Sequence, residues 1–466
     1  MKYKLHTKSI NFLADTITPV SVYLRLRDKF PNSILLESSD YRANDNTFSY
    51  ICSAPIAFIK IQNEIITQQF PDGRNTLTEI RKDTDVVQII QDFATSFEAE
   101  DSQLKFIHNG LFGYIAYDAV RYFENIELKM KKDKLDIPDI YYAVYQNVVA
   151  INHFNNEAYI FHHGISEGED KTQEIAQLLK VKTFAEFQFK KEDEVTTNIS
   201  DEDFKKLVSK CKQHCQRGDV FQIVVSKRFS QKFSGDEFNV YRTLRSINPS
   251  PYLFYFDYGD FKIFGSSPEA QLIMKDGQAE IHPIAGTIKR TGNDEQDAEL
   301  AKKLSEDKKE NSEHVMLVDL ARNDLSRNAK NVKVETYREV QFFSHVIHLV
   351  SKVSGKIKPE ISPFKVVAET FPAGTLSGAP KHNAMKIIDK YENINRQFYG
   401  GAIGFMDFKG NFNHAIIIRS FLSKNHTLHY QAGAGIVSES TPENELQEVY
   451  NKLGALNKAL ELAEKI

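Results

Sequence analysis

The stretch GDVFQIVVSKRF, residues 218–229, is rich in branched apolar residues and follows a glycine, which is typical of a short buried strand. Side chains in a strand point alternately to opposite faces, so Gln222 shares a face with Val220 and Val224. An amide in such a stripe is either a core glutamine with satisfied hydrogen bonds or a group that contacts a ligand. The spacing alone leaves both interpretations open.

Strand-like runs recur on both sides of this stretch, among them IYYAVYQNVVAINHF upstream and HVIHLVSKVSGKI downstream. Consecutive runs often lie only a few residues apart, and such short connections favour antiparallel pairing over βαβ units. Charged amphipathic helices alternate with the strands in the C-terminal part. The sequence therefore predicts an α+β fold in which helices cover the outer faces of large antiparallel sheets.

A charged segment divides the chain. Its 466 residues exceed what one hydrophobic core usually supports, which predicts two lobes or one large layered domain. Residues 166–199 are rich in charge and end at Ser200, a predicted helix N-cap. We therefore divide the sequence into an N-terminal region (1–165), a connecting segment (166–199) and a C-terminal catalytic region (200–460).

Composition excludes several classes of protein. A net charge of −4 and a pI near 6.4 give no electrostatic reason to expect nucleic acid or an anionic membrane as a partner. The N-terminus lacks the apolar core of a signal peptide, and no apolar run is long enough to cross a membrane. Three cysteines cannot form a disulfide framework, and Cys211 and Cys215 fall on the apolar face of a predicted helix. We expect a cytoplasmic protein.

Two pairs of glutamates have helical spacing. Glu310 and Glu313 are three residues apart in one predicted helix, and Glu445 and Glu448 are three apart in another, so each pair shares a helix face. A single pair of this kind is typical of a solvated surface. If the two pairs met, their repulsion, about 4 kcal/mol for charges 4 Å apart at an effective dielectric of 20, would require a dication. Mg²⁺ suits oxygen ligands of this kind, but the spacing does not show that the pairs meet.

Three glycine-rich segments bring backbone close to a neighbour or a ligand. They are FPAGTLSGAPK (371–381), YGGAIGF (399–405) and YQAGAGIVSES (430–440), and none follows the pattern of a P-loop or a dinucleotide-binding loop. Such segments are either tight turns or sites where backbone N–H groups bind a carboxylate. Arg419, which we place on the strand HAIIIRSF, is either a group that binds a second carboxylate with two hydrogen bonds, an edge residue or a partner in a structural ion pair. The combination indicates a small substrate with two carboxylates.

Ten motifs in order resemble the chorismate-binding enzyme family and cover nearly the whole chain: GLFGYIAYDAVRYFE, GDVFQIVVSKRF, NPSPYLFYF, GSSPE, PIAGT, EHVMLVDLARNDLSR, HLVSKVSG, PAGTLSGAPK, YGGAIGF and AGAGIVSESTPENELQEVYNK. The resemblance implies a two-layer arrangement of antiparallel sheets wrapped by helices, with the site between them. It also implies that the glutamate pairs meet around Mg²⁺. Glu313 and Glu448 match the direct ligands, and Glu310 and Glu445 match positions that act through water.

The resemblance also implies roles for single residues. Glu269, in GSSPE, matches the acid that protonates the departing C4 hydroxyl of chorismate. His348, in HLVS, matches the histidine that serves the later elimination by taking the C2 proton. The positions that match substrate-contacting loops are Gly286, Thr287 and Thr375. The positions that match the site of the enolpyruvyl carboxylate are Tyr399, Arg419 and the backbone of Gly433, Ala434 and Gly435.

Two positions separate the branches of the family. Members that add water to chorismate carry a lysine base at the position of Gln222, whereas ammonia is already nucleophilic and needs only orientation. Many aminodeoxychorismate synthases, which make a folate precursor, read PIKGT with an attacking lysine, whereas this chain has Ala285 there. The resemblance therefore implies amination at C2 and loss of pyruvate to give anthranilate, the first step of tryptophan biosynthesis. The main alternative is aminodeoxychorismate formation. A water-adding enzyme and a non-catalytic tryptophan sensor fit the motifs less well.

Regulation and a partner follow from the same resemblance. The motif LLES and the segment 248–254, NPSPYLF, match the family's tryptophan inhibitor site, which would comprise Glu37, Ser38, Pro251, Tyr252, Leu253 and Phe254. Two positions depart from the family's common pattern. Leu253 replaces a frequent methionine in NPSPYLF, and His282 replaces the usual arginine before PIAGT. None of the three cysteines lies on the glycine-flanked turn of a glutaminase nucleophile. We therefore expect ammonia to come from a separate glutamine amidotransferase subunit, in a heterotetramer.

Overall fold

The computed structural model describes residues 2–38, 47–100, 104–129, 131, 135–181, 183–343 and 346–466. These residues form eleven α-helices, α1 to α11: Pro19–Arg27, Val86–Thr95, Thr172–Lys180, Asp201–Arg217, Phe238–Ile247, Asp294–Glu306, Lys308–Ser326, Pro363–Thr370, Gly374–Ser377, Lys381–Tyr391 and Pro442–Ala463. A 3-10 helix spans Tyr117–Tyr122. The described strands, β1 to β23, are Tyr3–Leu13, Ile34–Glu37, Phe48–Gln62, Ile65–Gln69, Asn75–Glu79, Phe97–Ala99, Leu111–Ile115, Ile140–Asn152, Glu157–Gly164, Phe189–Thr197, Gln222–Gly235, Tyr252–Asp257, Phe261–Ser267, Ala270–Lys275, Gln278–Ile281, Ile284–Lys289, Ala329–Phe342, Val346–Ile357, Gly378–Ala379, Ala402–Met406, Phe412–Ile416, Ser420–Lys424 and Thr427–Ile436.

The strands form two large sheets that share β3 and β8. One sheet runs in the order β10, β11, β23, β22, β13, β12, β2, β3, β8, β9 and β1. The other runs β5, β4, β3, β8, β7, β20, β21, β14, β15 and β18, and β16 and β17 also pair with β18. Every pairing between described strands is antiparallel except that of β1 with β6. The predicted α+β fold of large antiparallel sheets is confirmed.

The shared strands bend where they pass from one sheet to the other. The register of β3 against β8 shifts between Pro55 and Ala57, and Ala54 just before this point has a positive φ of 56°. An extra residue in one strand of a pair increases the local bend and twist. A core cluster lies between the sheets and joins side chains of both, such as Phe254 and Ile263 from one and Phe112 and Ile403 from the other. The sheets therefore pack face to face.

Helices cover the outer faces. The long helix α11 packs on α4, α5 and β23, and buried apolar residues of these elements form one continuous core. Helix α4 begins after Ser200, whose side chain accepts a hydrogen bond from the backbone N–H of Asp203, and ends at Gly218 in the left-handed conformation. The predicted N-cap and the burial of Cys211 on the inner face are confirmed. No helix in the described ranges is long and apolar enough to cross a membrane.

Strands from both sequence regions lie side by side. Strand β2 of the N-terminal region pairs with β12, and β7 pairs with β20. The connecting segment itself holds α3 and β10, and β10 pairs with β11. The charged segment is thus a boundary in composition, whereas the sheets continue across it. The run LFGYIAYDAVRYF is a strand only to Ile115, after which the chain turns into the 3-10 helix.

Candidate active site

Gln222 begins β11 at a place where two glycine-rich segments flank the strand. It lies opposite Ala379 of β19, and Val224 lies opposite Gly435 of β23. A Cβ atom on Gly435 would lie 2.7 Å from Gln222 Nε2, so the glycine leaves the space that the amide fills. The side chain is 8% exposed and makes no hydrogen bond to any residue that the structure describes. Because a core glutamine would have its hydrogen bonds satisfied, this geometry favours an amide that contacts a ligand.

Glu269 is a partly buried carboxyl group in the short link between β13 and β14. The Thr375 hydroxyl donates a hydrogen bond of 3.1 Å to Glu269 Oε1. Burial raises the pKa of Glu269 to about 8, although the Thr375 hydrogen bond and the positive charge of Lys452 both act to lower it. Removing a carboxylate from water favours its neutral form. At neutral pH this group is therefore mostly protonated and can donate a proton.

His348 lies on β18 with its ring orientation fixed by the neighbouring strand. Its Nδ1 is 2.9 Å from the carbonyl oxygen of Gly286, which can only accept, so Nδ1 carries the proton and Nε2 of the neutral ring is the basic nitrogen. Burial lowers the pKa of His348, and the charge of Arg419 lowers it further. Gly286 has a φ of 65° in a bulge of β16. The backbone of Thr287 pairs with His348, whereas its side chain lies outside the described part of the structure.

Arg419 does not lie on a strand as the sequence predicted. It sits between β21 and β22 with a φ of 51°, because the run HAIIIRSF breaks into two strands that belong to different sheets. Its guanidinium forms no hydrogen bond or ion pair with another residue in the described ranges. The charges of Tyr399 and Glu448 act on Arg419, which places all three side chains close together.

Gly433, the first of residues 433–435, lies beside the Tyr399 hydroxyl. A Cβ atom on Gly433 would lie 2.9 Å from the Tyr399 hydroxyl and 2.8 Å from the Val225 carbonyl oxygen, so only glycine fits there. Ala434 is fully buried and lies opposite Val225 of β11. The positions expected to hold the enolpyruvyl carboxylate therefore meet at one place, beside Gln222.

The two glutamate pairs lie on different helices. Glu310 and Glu313 lie in α7, and a Cβ atom on Gly286 would lie 3.2 Å from Glu310 Oε2. Glu445 and Glu448 lie in the first turns of α11, and Glu445 is buried. No group of three acidic, histidine or cysteine side chains within the described ranges is arranged to hold a metal ion. Carboxylates are nevertheless the oxygen donors that Mg²⁺ accepts, and its binding by these four glutamates stays a prediction.

Comparison with known proteins decides the family. The sequence profile of the chorismate binding enzymes matches residues 42–458. The chain belongs to the chorismate-binding enzyme family. It is 37% identical to anthranilate synthase component 1 of Aquifex aeolicus, covering 97% of this chain and 94% of the relative. It is 36% identical to that of Acetivibrio thermocellus, covering 100% and 97%. The solved structure of anthranilate synthase component I from Streptococcus pneumoniae is 31% identical and superposes with a TM-score of 0.79 over 96% of this chain and 98% of that one.

Lys452 lies beside several of these candidate site residues and was not predicted from the sequence. Its Nζ donates a hydrogen bond of 2.8 Å to the Gly433 carbonyl oxygen and pairs with Glu448 at 2.6 Å. The same charge acts on Glu269, so Lys452 connects the acid, the glycine-rich strand and a predicted metal ligand. The signal was its spacing of four residues from Glu448 on one helix face.

The residues predicted for the inhibitor site also lie together, where β2 pairs with β12. Strand β2 pairs with β12 so that Glu37 lies opposite Leu253. Ser38, Pro251, Tyr252 and Phe254 join them in the lining of a cavity of about 1260 Å³. The Glu37 carboxylate already accepts hydrogen bonds from Tyr241 and Arg245, at 2.6 and 2.8 Å. Because the Glu37 carboxylate is bonded to other residues of the protein, we expect a ligand in this cavity to contact Ser38 and the apolar side chains of Pro251, Leu253 and Phe254. His282 also lines this cavity.

Proposed function

We propose that this protein is the aminating component of an anthranilate synthase, which converts chorismate and ammonia into anthranilate, pyruvate and water. The observation that carries the proposal is the Gln222 amide, buried at the end of β11 with no hydrogen-bond partner among the described residues. Such an amide can orient ammonia but cannot take a proton from water. The relatives named anthranilate synthase component 1 match nearly the full length of this chain, which supports the same reading.

The first half of the reaction replaces the C4 hydroxyl. Ammonia attacks C2 of the ring, the double bonds shift, and the C4 hydroxyl leaves as water after it takes a proton from Glu269. The nitrogen, protonated once the C2–N bond forms, then loses one proton, so that the net charge is unchanged. An acid suited to this task is protonated at the working pH and can lose its proton within the site. The pKa of Glu269, raised to about 8 by burial, fits this requirement, and Thr375 fixes the direction of its carboxyl group.

The second half makes the ring aromatic. His348 Nε2 takes the proton from C2, and the enolpyruvyl group leaves as pyruvate after gaining a proton. The hydrogen bond from Nδ1 to the Gly286 carbonyl supports this role, because it leaves Nε2 as the basic nitrogen. A lowered pKa keeps the ring neutral and able to accept a proton near pH 7.

The two carboxylates of chorismate require separate positive partners. Arg419, with Tyr399 and the backbone of residues 433–435, is the proposed site of the enolpyruvyl carboxylate. Glu313 and Glu448 would hold Mg²⁺ directly, and Glu310 and Glu445 would do so through water. When bound, the ion supplies positive charge to the ring carboxylate and orients the ring. The support for this assignment is chemical, because carboxylate oxygens are donors that Mg²⁺ accepts.

Supply and control of the reaction complete the proposal. A separate glutamine amidotransferase subunit would provide ammonia in a heterotetramer, since none of the three cysteines has the setting of a glutaminase nucleophile. Burial raises the pKa of Cys211 to about 12 and of Cys215 to about 11, which makes both thiols poor nucleophiles. Tryptophan, the product of the pathway, would bind beside Ser38 and Tyr252 and favour a less active state.

One assay tests the proposed function. The purified chain is incubated with chorismate, Mg²⁺ and high ammonium at mildly alkaline pH, and the products are identified by fluorescence and mass. We expect anthranilate and pyruvate in equal amounts. Isochorismate as the main product would contradict the role of Gln222, and aminodeoxychorismate would show that amination occurs at C4 despite Ala285.

A further inference from the structure

Arg396 is a buried arginine that the proposed chemistry does not use. It lies in the link between α10 and β20, is 1% exposed, and ranks among the largest fully buried side chains among the described residues. Its guanidinium pairs with Glu392 through two hydrogen bonds, of 2.9 Å from Nε and 2.7 Å from Nη2. The pair raises the pKa of Arg396 further above its already high value, so the group stays charged.

The remaining donors of Arg396 bind backbone next to predicted site residues. Nη1 donates a hydrogen bond of 2.6 Å to the carbonyl oxygen of Leu376, the residue that follows Thr375. Nη2 donates one of 2.7 Å to the carbonyl oxygen of Val224, two residues from Gln222. The guanidinium also lies 5.9 Å from the centre of the Tyr399 ring. One side chain thus joins the segments that carry the hydroxyl of Thr375, the amide of Gln222 and the phenol of Tyr399.

Glu392 extends the same contacts to the glycine-rich strand. Its Oε1 accepts hydrogen bonds of 2.8 Å from both the backbone N–H and the hydroxyl of Ser226. Ser226 lies opposite Gly433 in the pairing of β11 with β23. The ion pair therefore also fixes the strand that faces the proposed carboxylate site.

The length of α9 makes an external anchor necessary. The helix has four residues, 374–377, and the last four carbonyl groups of any helix lack partners within it. Arg396 supplies a charged donor to one of these carbonyls, and charged donors form the stronger hydrogen bonds. Apolar residues of similar volume often replace a buried ion pair without loss of stability. A gain in stability is therefore not a sufficient reason for the Arg396–Glu392 pair, which favours a role in positioning.

We propose that Arg396, held by Glu392, is a positioning residue that fixes Thr375 and Gln222 relative to each other. Thr375, which directs the proton donor Glu269, and the ammonia site lie on different segments, α9 and β11, and both must keep their distance from the same substrate ring. Arg396 bonds to both segments. This inference rests on the proposed function of the site.

The test compares Arg396→Lys with a matched change elsewhere. Lysine keeps the charge but loses the planar set of donors that reaches three partners. The control is Arg27→Lys, because Arg27 also forms a partly buried pair, at 2.6 Å from Asp236, and lies 5.3 Å from the Phe238 ring, but contacts no predicted site residue. Chorismate consumption by the full chain is measured with ammonium, and the melting temperature of each variant is recorded.

We expect Arg396→Lys to lower kcat at least tenfold while KM for chorismate changes less than threefold, and Arg27→Lys to leave both within twofold. Glu392→Gln, which keeps the hydrogen-bonding shape, should lower kcat in the same way and serves if Arg396→Lys does not fold. Adding Arg396→Lys to Thr375→Val should lower kcat by clearly less than the tenfold that Arg396→Lys costs alone, because part of the effect of Arg396 acts through Thr375. The proposal would be overturned if the two losses in kcat multiplied in the double variant. It would also be overturned if Arg396→Lys and Glu392→Gln each kept a normal kcat. The proposed function is tested separately by identifying the product. The changes in kcat and KM can be compared between variants whichever product is formed from chorismate.

Discussion

Replacing Glu269 with glutamine should abolish turnover and, at alkaline pH, stabilise the folded protein. Burial raises the pKa of this carboxyl group from about 4.5 to about 8. In the unfolded chain the group loses its proton near pH 4.5, whereas in the folded protein it keeps the proton until about pH 8. Between these values the folded state binds more protons than the unfolded state, so stability falls as the pH rises. Glutamine cannot ionise and removes this loss.

The size of the effect follows from the two pKa values. Each unit of pKa difference corresponds to about 1.4 kcal/mol, so the full penalty is at most about 5 kcal/mol, reached above pH 8 and absent below pH 4.5. An unfolding entropy of about 2.1 cal/mol/K per residue gives about 1 kcal/mol/K for 466 residues. The melting temperature of Glu269→Gln should therefore exceed that of the wild type by up to about 5 °C at pH 9, and by little at pH 5.

Thermal unfolding without substrate at pH 5, 7 and 9 measures this difference. The control is Glu461→Gln, which removes a carboxylate from an exposed position on α11 where it pairs with Lys458 at 3.2 Å. Surface pairs of this kind contribute little, so we expect the control to differ from the wild type by about 1 °C or less. A difference for Glu269→Gln that does not grow with pH would refute the idea that the fold holds this carboxyl group neutral. Wild-type turnover at saturating ammonia should also decline above about pH 8, where Glu269 loses its proton.

The other predictions concern the metal, the nucleophile, the inhibitor and the partner. Glu448→Gln or Glu313→Gln should abolish turnover with the fold intact, and activity of either variant at low Mg²⁺ would exclude these ligands. Gln222→Lys should weaken amination, so that unchanged anthranilate formation would mean the amide does not face the nucleophile. Ser38→Phe should relieve inhibition by tryptophan and keep the uninhibited rate, whereas identical dose–response curves would place the inhibitor elsewhere. Glutamine should support turnover only after an amidotransferase subunit is added; glutamine-dependent activity of the purified chain alone would contradict the partner.

Local features of the fold were predictable because their causes are local. The N-cap at Ser200 and the apolar face of α4 follow from spacing and from capping chemistry over a few residues. The same holds for the strand after Gly218, which begins at Gln222. The approach of Glu269, His348 and Arg419 could be expected only from the resemblance to a family, because no local pattern encodes which distant strands pair.

Some features could not be predicted from the sequence because they depend on contacts between distant parts of the chain. The run HAIIIRSF has the composition of one strand, but its two halves pair with strands of different sheets, and the chain needs a turn at Arg419 with a positive φ. The run LFGYIAYDAVRYF ends as a strand at Ile115, where the 3-10 helix begins. Lys452 was overlooked because lysine four residues after glutamate is a common surface pair, and only the fold brings it to the Gly433 carbonyl.

Glycines at this site decide where polar side chains can stand. A Cβ atom at Gly435 would occupy the space of the Gln222 amide, and one at Gly433 would meet the Tyr399 hydroxyl. Each glycine thus leaves the space that a polar side chain on a neighbouring segment fills. The positions of the Gln222 and Tyr399 side chains therefore depend on a second segment as well as on their own. Because β11 and β23 pair through ten residues, their spacing is fixed by the whole sheet and not by the site. In the proposed mechanism, the choice between amination and hydration depends on which side chain the sheet presents at position 222, in a space whose size the glycines set.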